Sequence, residues 1–154
     1  MKKLFKKLPV FIILVVVITA MLASCANTPG NSGLDNNAKY RIGICQFIEH
    51  AAVDSATEGF KTALTERLGD TVAFDYQNAA GDKTNAASIC NMFASNNYEL
   101  IFANSTNALA AAAEATSVIP VVACSVTDFK STLGLESFDG KTGFNVTGAS
   151  DLLP

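Results

Sequence analysis

Four short polar stretches each follow an apolar run: Gln46-Phe47-Ile48-Glu49-His50, Gln77-Asn78-Ala79-Ala80-Gly81-Asp82, Asn104-Ser105-Thr106-Asn107 and Ser125-Val126-Thr127-Asp128-Phe129. Their amides, hydroxyls and carboxylates suit recognition of a small polar molecule. A hydroxyl residue that opens a helix, as Ser105 and Thr106 do, leaves backbone N–H groups and a positive dipole end for an anion such as an α-carboxylate. Asp128 can pair with an ammonium group, and Ser125 and Thr127 can donate or accept hydrogen bonds. Phe47 and Glu49 offer an aromatic wall and a charge, flanked by the amides of Gln46 and Asn78. Each residue also has an ordinary structural role: Ser105 as a plain N-cap, Thr127 or Asp128 as a cap for Phe129 to Leu133, Phe47 as packing against a sheet. The weight lies in the convergence of four distant segments.

Bond-making chemistry finds little support. There is no G-x-G-x-x-G after the first apolar run and no G-x-x-x-x-G-K-[ST] in the chain, so no nucleotide cradle is expected. A G-x-S-x-G nucleophile elbow is also absent, and His50, the one histidine, reads as a helix N-terminal residue without a partner motif. Four cysteines without a C-x-x-C pair and a single histidine argue against zinc. Cys45, Cys90 and Cys124 read as small buried hydrophobes in preference to a Cys45–Cys90 disulfide. No metal or cofactor is expected, and the chain is read as a binding protein and not an enzyme.

The elements that must position these residues follow a regular rhythm from Tyr40 onward. Tyr40 to Phe47 reads as a strand. Ala51 to Leu68 carries Val53, Ala56, Phe60, Leu64 and Leu68 at helical spacing, with Asp54, Glu58, Lys61, Glu66 and Arg67 on the opposite face. Thr71 to Tyr76, Leu100 to Ala103 and Pro120 to Cys124 read as further strands, with Pro120 at a strand start. Asp82 to Asn96, with Ala86, Ile89, Cys90 and Phe93 inward, and Thr106 to Thr116 read as helices. Strands alternating with helices of this length predict an α/β fold, a doubly wound parallel sheet with right-handed crossovers. Runs such as Leu100-Ile101-Phe102-Ala103 lack polar alternates, as strands buried on both faces do. In such a sheet ligands bind beyond the carboxyl ends of the strands, where the four polar stretches fall.

The first part of the chain reads as an address. Residues 1–24 comprise a charged start, Met1 to Lys7, an apolar stretch, Pro9 to Met21, and a Leu22-Ala23-Ser24-Cys25 box. A membrane anchor is the alternative, but Leu8 to Ala23 falls short of the roughly 20 residues a bilayer core requires. Residues 25–39 are rich in Asn, Gly and Ser and read as a flexible tether. The chain has 154 residues, 49% of them hydrophobic and 16% charged, a balance that excludes global disorder. Its net charge of -3 includes Lys2, Lys3, Lys6 and Lys7; without these, seven basic residues face fourteen acidic ones. An acidic surface repels phosphate backbones, so nucleic acid is not an expected partner.

Together these residues resemble a known family. The Leu22 to Cys25 box is similar to a bacterial lipoprotein signal, which implies lipidation of Cys25 and an extracytoplasmic chain attached to the bacterial cell membrane through that lipid. Tyr40 to His50, with Ala51 to Asp54 and Glu58-Gly59-Phe60, resembles the opening of ABC-transporter substrate-binding lipoproteins of the tryptophan/tyrosine type. Asn78 to Asp82, Ala103 to Thr106, Ile119 to Val122, Ser125 to Asp128 and Asn145 to Asp151 follow in that family's order.

The resemblance implies a type I periplasmic-binding-protein-like fold, in which two lobes close on a small ligand, and a permease as partner. Amino acids, aromatic or branched, are the implied ligands. The implied site has a carboxylate pocket at Ser105 and Thr106, an ammonium side at Ser125, Thr127 and Asp128, and a wall of Gln46, Phe47 and Glu49, with Asn78 a further ligand-binding candidate. Residues 40–154 match only a first lobe, so the chain is expected to lack its second lobe and to bind ligand weakly or not at all. Two rivals come from other classes: an extracytoplasmic sensing lobe that docks a signalling partner, and a small enzyme on a flavodoxin-like sheet, which lacks a cofactor or nucleophile signature.

Overall fold

A computed structural model describes residues 38–151. The expected signal segment, the lipidation site Cys25 and nearly all of the expected tether lie outside the described residues. Strand β1 runs over Tyr40–Gln46, followed by helix α1, Ala51–Leu68, and a 3-10 turn, Gly69–Thr71. Then come β2, Val72–Asn78, α2, Lys83–Ser95, β3, Leu100–Asn104, and α3, Thr106–Ala115. The order closes with β4, Val121–Val126, the short α4, Phe129–Thr132, and β5, Val146–Ser150. Among the described residues these strands form one parallel sheet in the order β2-β1-β3-β4-β5. The α/β fold read from the sequence is the fold observed.

Local chemistry explains where the elements start and stop. His50 caps α1, its Nδ1 accepting from the Ala52 amide at 3.3 Å. Asp82, expected inside the second helix, is its N-cap and accepts from the amides of Thr84 and Asn85 at 2.6 and 3.0 Å. Pro120 lies just before β4, where its missing N–H costs nothing while its carbonyl accepts from the Ile101 amide at 3.0 Å. Strands β2 and β4 run two residues further toward their carboxyl ends than the apolar runs indicate, because ladder pairing continues through polar side chains. β5 carries no strand signal in the sequence: only Val146 in it is buried, so no hydrophobic pattern marks it.

The core is unequal on the two faces. Helices α2 and α3 pack on one face over Cys45, Cys90, Phe93, Ile101, Leu109, Val121 and Ala123, all fully buried or nearly so. Helix α1 covers the other, where Phe60 stacks on Phe102 at 4.0 Å over Ile42 and Ile44. The expected stripe of α1 is only half-buried, and its one buried residue is Thr57.

Cys45, Cys90 and Cys124 are free thiols, the first two buried and the third half-buried. The Cys90 thiol is pushed up by its hydrogen bond to Cys45 and by burial. No helix among the described residues is long and apolar enough to cross a membrane.

Candidate functional site

Parallel pairing brings the four junctions to one edge. Gln46 is in register with Asn78 on one side and Asn104 on the other, and Asn104 is in register with Cys124. Backbone bonds then join the junctions beyond the strands: Ala79 N–H to Gln46 O at 2.8 Å, Gly81 N–H to Phe47 O at 2.7 Å, Phe47 N–H to Asn104 O at 3.3 Å and Ser105 N–H to Cys124 O at 3.0 Å. The Thr127 amide donates to Thr106 Oγ1 at 3.4 Å, and the Asp151 amide to Val126 O at 3.1 Å. The crest is one connected ridge. Its centre, between β1 and β3, is the point where the connections reverse direction, the usual crevice of an open α/β sheet.

Ser105 opens α3. Its hydroxyl accepts from the Ala108 amide at 3.4 Å and its carbonyl from the Leu109 amide at 2.9 Å. The amides of Thr106 and Asn107 have no intrahelical acceptor, because they belong to the first turn. The serine therefore serves as a cap and still leaves donors at the helix mouth. Ser105 has φ 124° and Ser125 φ 55°, values that L side chains rarely adopt. With Ala80 at φ 53°, three of the four non-glycine residues with positive φ among the described residues lie on this crest. Strain of this kind concentrates where backbone shape serves a purpose. Ser125 also marks a break in the β4–β5 register between Ala123 and Val126, which the sequence does not announce.

The remaining expected residues divide by exposure. Glu49, Thr127 and Asp128 are exposed, while Asn78, Ser105, Thr106 and Ser125 are half-buried. Phe47 is half-buried against the core. Asn78 Nδ2 donates to Glu49 Oε1 at 3.3 Å, and Asn78 Oδ1 accepts from the Ala80 amide at 2.8 Å. Asp128 caps α4, with Oδ1 accepting from the Ser131 amide at 3.2 Å and Oδ2 from the Ser131 hydroxyl at 2.5 Å.

Gln46 turns inward, 1% exposed. Its Nε2 donates to Asp54 Oδ1 at 2.6 Å, and its Oε1 accepts from Thr57 Oγ1 at 2.6 Å. Asn104 Nδ2 completes the chain, donating to Thr57 Oγ1 at 2.8 Å and Val53 O at 2.7 Å, while Asn104 Oδ1 has no hydrogen-bond partner among the described residues. Asp54, read from the sequence as part of the outer face of α1, is exposed, yet its Oδ1 also reaches the end of β1. Helical period alone cannot place a side chain at the boundary between faces.

Asp54, Glu49, Glu58, Gln46, Thr57 and Tyr76 line a cavity of about 240 Å³ at this end of α1. Burial pushes the Tyr76 phenol up, and the carboxylates of Asp54 and Glu49 add to that shift. Among the described residues no group of three or more His, Cys, Asp or Glu side chains is placed to hold a metal ion. The arrangement can bind a small polar molecule through amides, hydroxyls and carboxylates.

Two carboxylates at the crest give the fold an acid limit. The amides of Asn85 and Thr84 hold the Asp82 carboxyl below its ordinary value, and the hydroxyl and amide of Ser131 do the same for Asp128. A depressed folded-state value contributes stability that is fully present above the unfolded value, about 3.9, and is lost as pH falls through the folded one. Thermal melts should therefore be insensitive to these groups above about pH 5 and respond to them below about pH 4. An Asp82→Asn, Asp128→Asn double variant should show a shallower acid decline, and an unchanged decline would contradict these cap assignments.

The comparisons with known proteins agree with this architecture. Residues 41–154 match a family model described as ABC transporter substrate binding protein. A tyrosine-binding protein of Clostridioides difficile (strain R20291) is 37% identical over 157 aligned positions, which cover 96% of this chain and 45% of that protein. A ligand-free, open substrate binding protein with adhesive properties from Clostridium difficile superposes with a TM-score of 0.69 at 37% identity, over 74% of this chain and 39% of that one. An ABC domain from Streptococcus pneumonia in complex with L-Trp gives 0.67 at 30% identity, over 73% and 39%. The chain thus spans less than half the length of each of these proteins. With the match running from β1 through the last strand, on a sheet whose carboxyl edge gathers the polar junctions, the chain belongs to the ABC transporter substrate binding protein family.

Proposed function

We propose that this chain is the first lobe of an extracytoplasmic solute-binding lipoprotein, and that the complete protein delivers an aromatic amino acid to an ABC permease. In this reading residues 1–24 are a signal segment, Cys25 carries the lipid, residues 25–39 are a tether and residues 40–154 form the lobe. The observation that carries the reading is the crest, where four junctions meet at the reversal point of the sheet. The printed names of two relatives, a tyrosine-binding protein and an L-Trp complex, support the ligand class.

The free amides at the start of α3, beside Ser105 and Thr106, receive the α-carboxylate. The hydroxyls of Ser125 and Thr127 face the ammonium group, and Glu49, which accepts from Asn78 Nδ2, stands on the side-chain wall. Asp128 contributes less directly, since Ser131 engages both of its oxygens. Phe47 and Asn78 complete that wall, with Gln46 buried beneath it and bonded to Asp54 and Thr57.

One lobe supplies about half of the contacts that a closing clamp makes. A ligand held at micromolar affinity by two lobes, about -8 kcal/mol, is then expected near millimolar, about -4 kcal/mol, on one. Two-dimensional NMR of the labelled chain titrated to several millimolar L-tyrosine is expected to shift the amides of Ser105, Thr106, Asn107 and Thr127. L-Alanine should shift them less. Unmoved crest amides would refute the ligand site, and micromolar calorimetric affinity would refute the half-clamp.

A further inference from the structure

We propose that Cys45 and Cys90 form a redox site within the lobe, a thiol pair that closes to a disulfide by exchange with a low-molecular-weight disulfide and so cross-links β1 to α2. Its use in the cell rests on the extracytoplasmic reading, since disulfides persist in oxidising compartments. Position selects the pair. Side chains alternate across a strand, so Cys45 on β1 joins the core under α2 and α3, while Gln46 beside it bonds to α1. Cys124 on β4 packs with the cluster of Ile42, Ile44 and Phe102 on the α1 side. The sheet stands between Cys124 and the other two, so among the described cysteines only Cys45 and Cys90 can meet.

The approach of α2 to β1 sets these two opposite one another. A Cβ at Gly43 would meet Phe93 Cγ at 2.5 Å, so the helix lies close on the strand at that level. Helix α2 leads from β2 to β3, both parallel to β1, and therefore runs against β1. Two residues on from Gly43, about 6.6 Å along the strand, stands Cys45. Three residues back from Phe93, about 4.5 Å and nearly one turn along the helix, stands Cys90. Ala103, in register with Cys45, and Ala86, one turn before Cys90, are fully buried and small enough for close approach. Both thiols are fully buried and hydrogen-bonded to each other, a bond that holds the Cys45 thiol below its ordinary value and, with burial, pushes the Cys90 thiol up. Cys45 is thus the sulfur that gives up its proton first.

The Cys45 thiolate attacks one sulfur of the oxidant RSSR, forming a mixed disulfide and releasing RS⁻, which leaves as RSH with the Cys45 proton. Cys90 then loses its proton as its sulfur attacks Cys45 Sγ, and the second RS⁻ departs with that proton as RSH. Two protein thiols are oxidised and one RSSR is reduced to two RSH. Because neither sulfur is exposed, exchange takes place before the core closes or when α2 lifts from β1, and the folded dithiol is shielded from further oxidation. The bond closes a loop of about 45 residues, long enough to restrict the unfolded chain strongly.

In a Cys25→Ser background the full chain, reduced and unfolded, is refolded in glutathione with an about tenfold excess of the disulfide form, and remaining thiols are alkylated. Mass spectrometry should find the peptides of Cys45 and Cys90 joined and Cys124 outside the bridge. The bridged chain should melt several degrees above the reduced one, and dithiothreitol should reverse the gain. No bridge, a bridge through Cys124, or a bridged chain that melts no higher than the reduced one would overturn the proposal. If refolding fails, the never-denatured chain in sub-denaturing urea decides: the bridge should form several-fold faster as urea rises, and its absence refutes the site. Acid-quenched, alkylated cells test the compartment separately. A chain bridged in vitro yet reduced in cells sinks the extracytoplasmic reading and leaves the thiol site intact.

Discussion

Phe93→Ala is expected to destabilise the fold by about 3–5 kcal/mol, a large share of the roughly 5–15 kcal/mol available to a domain. Phe93 is fully buried on α2, with Tyr98 tilted against it at 4.9 Å between ring centroids. The ring lies where a side chain on β1 would otherwise stand. A Cβ at Gly43 would meet Phe93 Cγ at 2.5 Å and both Cδ atoms within 2.8 Å. Gly43 is thus a packing glycine, and Gly43→Ala should cost about 1–3 kcal/mol through overlap with the ring. In the double variant the added methyl enters space left by the ring, so the combined loss should be smaller than the sum of the two by about 1 kcal/mol or more. Urea unfolding of the wild type, both single variants and the double variant measures this coupling. Strict additivity would mean that the two positions do not share one volume.

Thr57→Val should be the most costly near-isosteric change on α1, at roughly 2–4 kcal/mol. The hydroxyl donates to Gln46 Oε1 at 2.6 Å and accepts from Asn104 Nδ2 at 2.8 Å. All three side chains are at most 2% exposed. Valine preserves the shape and removes one group from each of two buried hydrogen bonds, at about 1–3 kcal/mol for each polar atom left unsatisfied. Thr57→Ser keeps the hydroxyl and should lose much less. Chemical denaturation separates the two variants. Because Gln46 and Asn104 end β1 and β3, the valine variant should also blunt the amide shifts that L-tyrosine induces at Ser105 and Thr106. A valine variant as stable as the serine one would show that this network does not hold the crest.

The sequence and the structure divide this knowledge along physical lines. Apolar runs without polar alternates at Leu100 to Ala103 and Val121 to Ala123, separated by stretches of helical period, are local signals of buried strands and covering helices. They suffice for a parallel α/β sheet, and the carboxyl edge then follows from topology alone. Capping residues are equally local, as His50, Asp82, Ser105 and Asp128 show, because each bonds to amides two or three positions away. The family resemblance in the blocks from Tyr40 to Asp151 stands on the same footing: it needs residue order and no coordinates.

Other features exist only once distant segments meet. Thr57 looks like a neutral position between Ala56 and Phe60, and its importance depends on Gln46 and Asn104 arriving from two strands. Asp54 reads as a solvent-facing carboxylate and is one, and only the fold shows that it also accepts from Gln46 at the end of β1. The strand character of Val146–Ser150 is fixed by pairing to β4, and the turn at Ser125 by the register break that this pairing imposes. The amino-acid sequence by itself determined which segments extend, which coil and which carry polar ends, since those preferences act over a few residues. Folding alone settled which polar groups line the crest and which pair with one another beneath it, because such choices depend on contacts between segments tens of residues apart.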